Sequence, residues 1–345
     1  MRSTKLVSAP FWRLGGCALL AAFTLAACGS SSKTGGSASS SSGAAASTPG
    51  TKTVAFVPGI YPEGYFISMN AGIQAEAKKL GGYNIILQGS PTYSPETQVP
   101  ILQSLLAKHL DAAIVAPTDV TALNPTLNQY KQKKVPLFLG DAGVSDTSLP
   151  VATVETDNYG GGVAAADAMA KAIGGHGTVA VESFVPGSGS GAPRVTGFMH
   201  EMNAKYPKVT VLPVQYGKSD VSLTASQVGA ELTAHSDLVG VFGANDASAL
   251  GAGEAVHSAG KKVTVIAYDA DPDEVKNLKS GLFSILIAQH PYDEGVLLMQ
   301  EVNDYFKGQR SAIKPVTKTP VTVVTQANMN SSTIQPYLYG VPNPK

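Results

Sequence analysis

Apolar residues along this chain fall into two alternating rhythms. Short unbroken runs rich in Val, Ile, Leu and Ala are followed by longer stretches whose large apolar side chains recur every three or four positions. A first run over 54–57 leads into a helix carrying Phe66, Met69, Ile73, Ala77 and Leu80 on one face, and then into a strand over 84–87. A helix with Ile101, Leu102, Leu105 and Leu106 comes next, then strands over 112–115 and 137–139 around a helix over 123–130. A second series opens with a strand over 151–154. Its helices are expected over 159–173, through Phe198 and Met202, and over 223–233, 247–259, 272–278 and 294–306. Its strands are expected over 178–181, 209–214, 238–242, 263–267 and 284–287, with a last strand over 320–324 before a Pro/Asn-rich tail. A period that switches from strand to helix and back predicts βαβ units and parallel sheets. Continuous apolar strands suit sheets covered on both faces. The expected fold is α/β, with two doubly wound parallel-sheet lobes of similar size.

The amino end is different. Arg2, Lys5 and Arg13 precede an apolar, small-residue stretch over 14–27 that is too short for a membrane span. Leu25-Ala26-Ala27-Cys28 resembles the bacterial lipobox. That resemblance implies cleavage before Cys28, acylation of its thiol and display at the outer face of the cell membrane. Residues 29–50 are nearly all Ser, Gly, Ala and Thr, a composition that cannot bury apolar surface and reads as a flexible tether. The expected organisation is a signal peptide over 1–27 and a lipid-anchored tether over 28–52.

Lys+Arg and Asp+Glu both number 25, so no basic field exists to attract nucleic acid. The two cysteines are Cys17 and Cys28, which leaves the mature chain without a disulfide or a thiolate metal site. No run of alternating Asp/Asn ligands suggests a calcium loop. Gly187-Ser188-Gly189-Ser190-Gly191 places Gly where a nucleophile elbow needs Ser, and reads as a flexible loop. Gly160-Gly161-Gly162 lacks the Lys-Ser/Thr of a phosphate loop and reads as tight packing against the sheet.

In open parallel sheets ligands bind beyond the carboxyl ends of the strands, so the residues following each strand are the candidates. Tyr65 and Phe66 open the first helix, Asp141 follows the run 137–139, and Arg194 follows the loop after 178–181. Asn245 and Asp246 follow 238–242, Asp269 follows 263–267, and Gln289 follows 284–287. Carboxylates accept, Arg donates through a planar fork, amides do both, and an aromatic ring suits the C–H face of a sugar. This is chemistry for a neutral polyol. Charge-assisted hydrogen bonds contribute about 1.5–3 kcal/mol each, so five such groups give about 10 kcal/mol before closure and ordering costs, the order that micromolar binding needs. Asp271-Pro272-Asp273-Glu274 caps its own helix, which leaves Asp269 without a structural task. Asn245 and Asp246 both precede a helix, and one of them is expected to cap it. Tyr65 and Phe66 are adjacent, so one helical stripe cannot bury both.

The order of these segments resembles the type I periplasmic solute-binding proteins, in particular the ribose-binding branch, over nearly all of 53–325. The resemblance is carried by residues 135–141, 156–161, 194–198, 241–246, 267–269 and 287–289. It implies that Asp141, Arg194, Asn245, Asp269 and Gln289 hydrogen-bond a monosaccharide between two lobes while Tyr65 and Phe66 sandwich its ring, and that Asp246 is the cap or hinge residue beside Asn245. Ala142 stands where ribose binders carry a second arginine, Ser219 near a third aromatic position, and Glu63 where an amide is usual. The lobes implied are 53–157 with 290–320 and 158–289 with 321–345, joined by a three-crossing hinge near 156–158, 289–291 and 319–322. A monomer is expected that needs no cofactor and passes its sugar to an ABC permease. The alternatives are a receptor presenting a sugar or furanosyl autoinducer to a sensor, and an anchored glycan hydrolase using Asp141 and Asp269 as an acid/base pair. Tyr61, Phe184 and Tyr292 are further candidates for the pocket wall.

Overall fold

The computed structural model describes residues 50–340. The expected leader, Cys28 and nearly all of the tether lie outside the described residues. The first half of the fold is β1 (Lys52–Val57), α1 (Gly64–Leu80), β2 (Tyr83–Leu87), α2 (Pro95–Leu106), β3 (Ala112–Val115), α3 (Asn124–Gln132), β4 (Leu137–Gly140) and β5 (Ala152–Thr156). Then come α4 (Asn158–Ile173), β6 (Gly177–Ser183), α5 (Gly191–Lys205), β7 (Val209–Val211), β8 (Gln215–Tyr216), α6 (Val221–Ala234) and β9 (Leu238–Gly243). The chain continues through α7 (Asp246–Ser258), β10 (Thr264–Tyr268), α8 (Pro272–Ser280), β11 (Ile285–Ala288), α9 (Pro291–Phe306), β12 (Val316–Thr319) and β13 (Thr322–Thr325).

These strands form two sheets. The six-stranded sheet runs β12-β5-β4-β3-β1-β2 and is parallel throughout. The seven-stranded sheet runs β13-β11-β10-β9-β6-β7, with β8 beside β6, and only β13 is antiparallel to its neighbour. Both start in the middle and wind outward in both directions, which creates a switch point at β1/β3 and another at β6/β9. The chain passes between the sheets after β5, after β11, and between β12 and β13.

Alternate residues of one strand feed opposite layers, as strand geometry requires. Val54 and Phe56 of β1 pack with Met69, Ile73, Leu298 and Met299 from α1 and α9, whereas Ala55 and Val57 pack with Leu102, Leu105 and Leu127 from α2 and α3. Helices on both faces explain why these strands show no in-out alternation of polarity. The second sheet repeats the scheme with Val179, Val181, Phe242 and Ile266 against Ala165, Met169 and Phe198 of α4 and α5.

Several helix pairs touch backbone to backbone through glycine. A Cβ at Gly295 of α9 would lie 2.1 Å from the Met69 carbonyl oxygen of α1, and one at Gly162 of α4 would lie 2.0 Å from the Arg194 carbonyl oxygen of α5. Gly161 packs just as closely on the Tyr268 hydroxyl of β10, so the glycine run at the start of α4 serves packing against the sheet and against α5 together.

Two strand expectations change. The run 209–214 is a strand only over β7, and β8 resumes beside β6 just after it, because Pro213 has no N–H to give to β6, while Leu212 on one side and Gly217 on the other still donate to Val179 and Ser183. The expected last strand, 320–324, is β13 at Thr322–Thr325, preceded by an unforeseen β12. Thr317, Lys318 and Thr319 gave no apolar run to read there, and Pro320 separates the two strands where the chain changes sheets. As expected, the Asp271 side chain accepts from the Asp273 and Glu274 amides and Glu274 reaches back to the Asp271 amide, capping α8.

Gly162→Ala forces α4 and α5 apart at the residue that carries Arg194. It should lower stability by about 1–3 kcal/mol, the usual cost of overpacking, measured by urea unfolding of the unliganded protein.

Candidate functional site

A cavity of about 250 Å³ lies where the carboxyl ends of the two sheets converge. Tyr65, Phe66, Asp141, Arg194, Asn245, Asp269 and Gln289 all border it. Each owes its place to a strand that ends there. Asp141 follows β4 and Asp269 follows β10, and both adopt positive φ, 67° and 108°. A carboxylate held in that sparsely populated conformation at the end of a parallel strand is a mark of a working site.

Arg194 stands in the first turn of α5 and is 3% exposed. Its Nε donates to Asn158 Oδ1 at 2.8 Å, Nη1 to the Ala244 carbonyl at 2.9 Å and Nη2 to Gln289 Oε1 at 3.1 Å. The guanidinium lies 3.8 Å from the centre of the Tyr268 ring, a stacked cation–π contact. Gln289 passes the chain on, its Nε2 donating to Asp269 Oδ1 at 2.5 Å. Tyr339 donates to the same oxygen at 2.9 Å. Asp269 therefore has the structural partners that the sequence did not reveal, because they arrive from residues 20 and 70 positions away.

Tyr65 and Phe66 are both buried, against the expectation that one stripe cannot cover the pair. They sit in the first turn of α1, where the cavity and the other half of the fold cover what the helix's own layer cannot. Their rings meet edge to face at 5.0 Å. The Tyr65 hydroxyl donates to Glu294 Oε2 at 2.8 Å, and Glu294 Oε1 accepts from Thr156 and Thr319 at 2.7 and 2.8 Å. Thr156 ends β5 and Thr319 ends β12, so this buried carboxyl ties Tyr65 to two of the places where the chain leaves the first sheet.

The roles of Asn245 and Asp246 differ from expectation. Asn245 is the cap of α7, accepting from the Ser248 amide, and it still borders the cavity; Asp246, one residue on, borders it too. Glu63 borders the cavity while capping α1 through the Tyr65 and Phe66 amides. Phe184 and Ser219 are on the wall, as is Ser190 from the glycine-rich loop. Tyr61 and Tyr292 do not line it; Tyr61 packs on Gly89, and the Tyr292 backbone packs on Gly72. Sequence reasoning missed Ile60 and Tyr93 on the wall and Asn158, Glu294 and Tyr339 behind it. Ile60, Tyr93 and Asn158 lie where a strand-end search could have found them, three residues after β1, six after β2 and two after β5.

Four carboxyls and one guanidinium share this wall. Burial, reinforced by Asp269, pushes Glu63 up to about 8. Burial pushes Asp141 up to about 7 against the pull of Arg194, and Asp246 to about 6 with Asp269 adding to the rise. Burial also lifts Glu294 to about 7, opposed by its threonine hydroxyl partners. For Arg194 burial works against the charge, but Tyr268, Asp269 and Asp141 outweigh it and hold the guanidinium above its ordinary value. Among the described residues no group of three or more His, Cys, Asp or Glu is placed to hold a metal ion. The wall thus offers carboxyl oxygens, amides, a fixed guanidinium and four aromatic rings, the set that grips a polyhydroxylated ring by its edges and covers its apolar face.

Residues 54–310 match the family model described as a periplasmic binding protein domain. The ribose import binding protein of Salmonella typhimurium is 30% identical over 263 residues, covering 76% of this chain and 87% of the relative. An ABC transporter solute-binding protein from Agrobacterium vitis, solved with α-D-tagatopyranose, superposes with a TM-score of 0.80 at 35% identity, covering 84% of this chain and 99% of its own. A second Agrobacterium vitis solute-binding protein, solved with D-fucose, gives a TM-score of 0.75 at 28% identity over 83% of this chain and all of its own.

Because Asp141 holds a proton in the folded protein that the unfolded chain releases near its ordinary value, its ionisation works against folding as pH rises from about 4 to about 7. Asp141→Asn copies the neutral form and suits the positive φ. In thermal melts without ligand the variant should match the wild type at pH 4 and melt higher at pH 8.

Proposed function

This chain belongs to the periplasmic binding protein domain family, and from that premise we propose that it captures a monosaccharide or sugar-like polyol for an ABC-type importer. The observation carrying this reading is the convergence of Asp141, Arg194, Asn245, Asp269 and Gln289 with Tyr65 and Phe66 on one cavity at the strand ends of two sheets. The named relatives are a ribose import binding protein and two ABC transporter solute-binding proteins solved with sugars, and the chain is a binding protein, not an enzyme. Asp141 and Asp269 act as acceptors for sugar hydroxyls, and Arg194 donates with the N–H groups that the scaffold leaves unused. Tyr65 and Phe66 cover the C–H face of the ring. Tyr65, Phe66, Asp141, Arg194, Asn245, Asp269 and Gln289 are the ligand-binding set.

Mechanistically, the ligand first meets one lobe, and rotation about the three crossings brings the other lobe onto it. The lobes are 53–157 with 290–320 and 158–289 with 321–345. Ligand and closure are then linked as a shift of population, the closed form being the one the permease accepts. The protein works outside the cytoplasm as a monomer, held at the outer face of the membrane by lipid on Cys28 after removal of residues 1–27, and residues 28–52 supply reach.

Calorimetric titration with D-ribose, D-tagatose, D-fucose and D-allose tests the reading. At least one should bind saturably at one site per chain without turnover; no binding by any of them overturns it. Arg194→Ala, which also strands Asn158 and Gln289, should cost about 2–5 kcal/mol of binding, a rise in dissociation constant of about 30-fold or more. Cys28→Ser should move the expressed protein from the membrane fraction to the soluble fraction of a bacterial host; an unchanged distribution refutes the anchor.

A further inference from the structure

The chain does not stop working at its last strand. After β13 the tail returns across the second sheet, where Gln326 bonds the Leu278 carbonyl at the end of α8 and Met329, Leu338 and Tyr339 enter the main apolar core. Tyr337 stacks on His290 at 3.7 Å, at the crossing that follows β11. At Tyr339 the tail packs behind the wall of the ligand cavity. The Tyr339 amide donates to the Ala270 carbonyl at 2.9 Å, and its hydroxyl donates to Asp269 Oδ1 at 2.9 Å while accepting from the Gln289 amide at 3.1 Å. Its ring meets that of Tyr65, on the opposite wall, edge-on at 6.0 Å. The family match ends at residue 310, before the tail begins.

We propose that Tyr339 is a positioning residue of the sugar site, its hydroxyl fixing the Asp269 carboxylate so that the second oxygen is presented to the ligand. This inference rests on the sugar-binding reading above. Asp269 sits at φ 108°, a conformation that a non-glycine residue holds only under restraint from its surroundings. The restraint here is double. Tyr339 and Gln289 occupy Oδ1, which leaves Oδ2 as the acceptor facing the cavity, and the Tyr339 amide pins the next carbonyl along. A tyrosine hydroxyl both donates and accepts, so it relays the buried Gln289 N–H to the carboxylate, which a phenylalanine cannot do. The tail thereby supports the cavity from behind, touching two of its lining residues, Asp269 and Tyr65.

Tyr339→Phe keeps the ring and removes only the hydroxyl. With whichever of D-ribose, D-tagatose, D-fucose and D-allose titrates the wild type, this variant should bind at least about tenfold more weakly, the scale of a hydrogen bond to a charged group. Circular dichroism at the titration temperature verifies that it is folded. The deciding readout is a double-mutant cycle with Asp269→Asn. If Tyr339 acts through Asp269, its removal costs little more once that carboxylate is gone. A dissociation constant within twofold of wild type, or an equal loss in both backgrounds, overturns the inference while leaving the sugar-binding reading intact. Failure of the wild type to bind any of the four sugars removes both.

Discussion

The site depends on one buried guanidinium. Arg194 is the cation of a wall that also holds four carboxyls, and it reaches that position without a direct ion pair to any of them among the described residues. Instead Asn158, the Ala244 carbonyl and Gln289 hold it, and Tyr268 supports its face. Burying an ionised group without such partners is prohibitive, so the arginine organises the ends of β9, β10 and β11 around itself. The glycine contact between α4 and α5 exists to let the Arg194 backbone come close enough for this arrangement.

From that anchor a line of hydrogen bonds runs through Gln289 and Asp269 to Tyr339, joining three strand ends and the carboxyl-terminal tail. A second node, the Glu294 carboxyl, gathers Tyr65, Thr156 and Thr319. One node orders the polar wall and the other ties an aromatic wall residue to the segments linking the sheets. Removing either partner of such a node leaves a buried polar group unpaired, which costs more than the bond itself was worth. The raised carboxyls have the same origin. A cavity dry enough to make hydrogen bonds to a sugar strong is also dry enough to resist several negative charges at once.

Much of this was readable along the chain. Alternating strand and helix periods identified the two sheets, because strands sandwiched between helices must be apolar throughout. The rule that parallel strands present ligands at their carboxyl ends then led to Asp141, Arg194, Asn245, Asp269 and Gln289 on a common wall. The exceptions are physical. β12 is a short, polar edge strand whose pairing partner, β5, lies 163 positions earlier between Val316 and Thr153, so no local pattern marks it. Asn245 rather than Asp246 caps α7, a choice between two good caps that depends on which side chain the helix amides meet.

Local preference and periodicity thus specified which segments are strands and helices, which edge of each sheet carries polar groups, and that α8 caps itself. These features depend on residues a few positions apart and need nothing else. Tertiary packing alone decided what lies behind the wall. Asn158, Glu294 and Tyr339 act on residues 36, 229 and 70 positions away, and each is a common residue type whose role comes from its neighbour in space. The burial of adjacent Tyr65 and Phe66 has the same cause, since a cavity between two sheets covers faces that a single helix layer would leave in water.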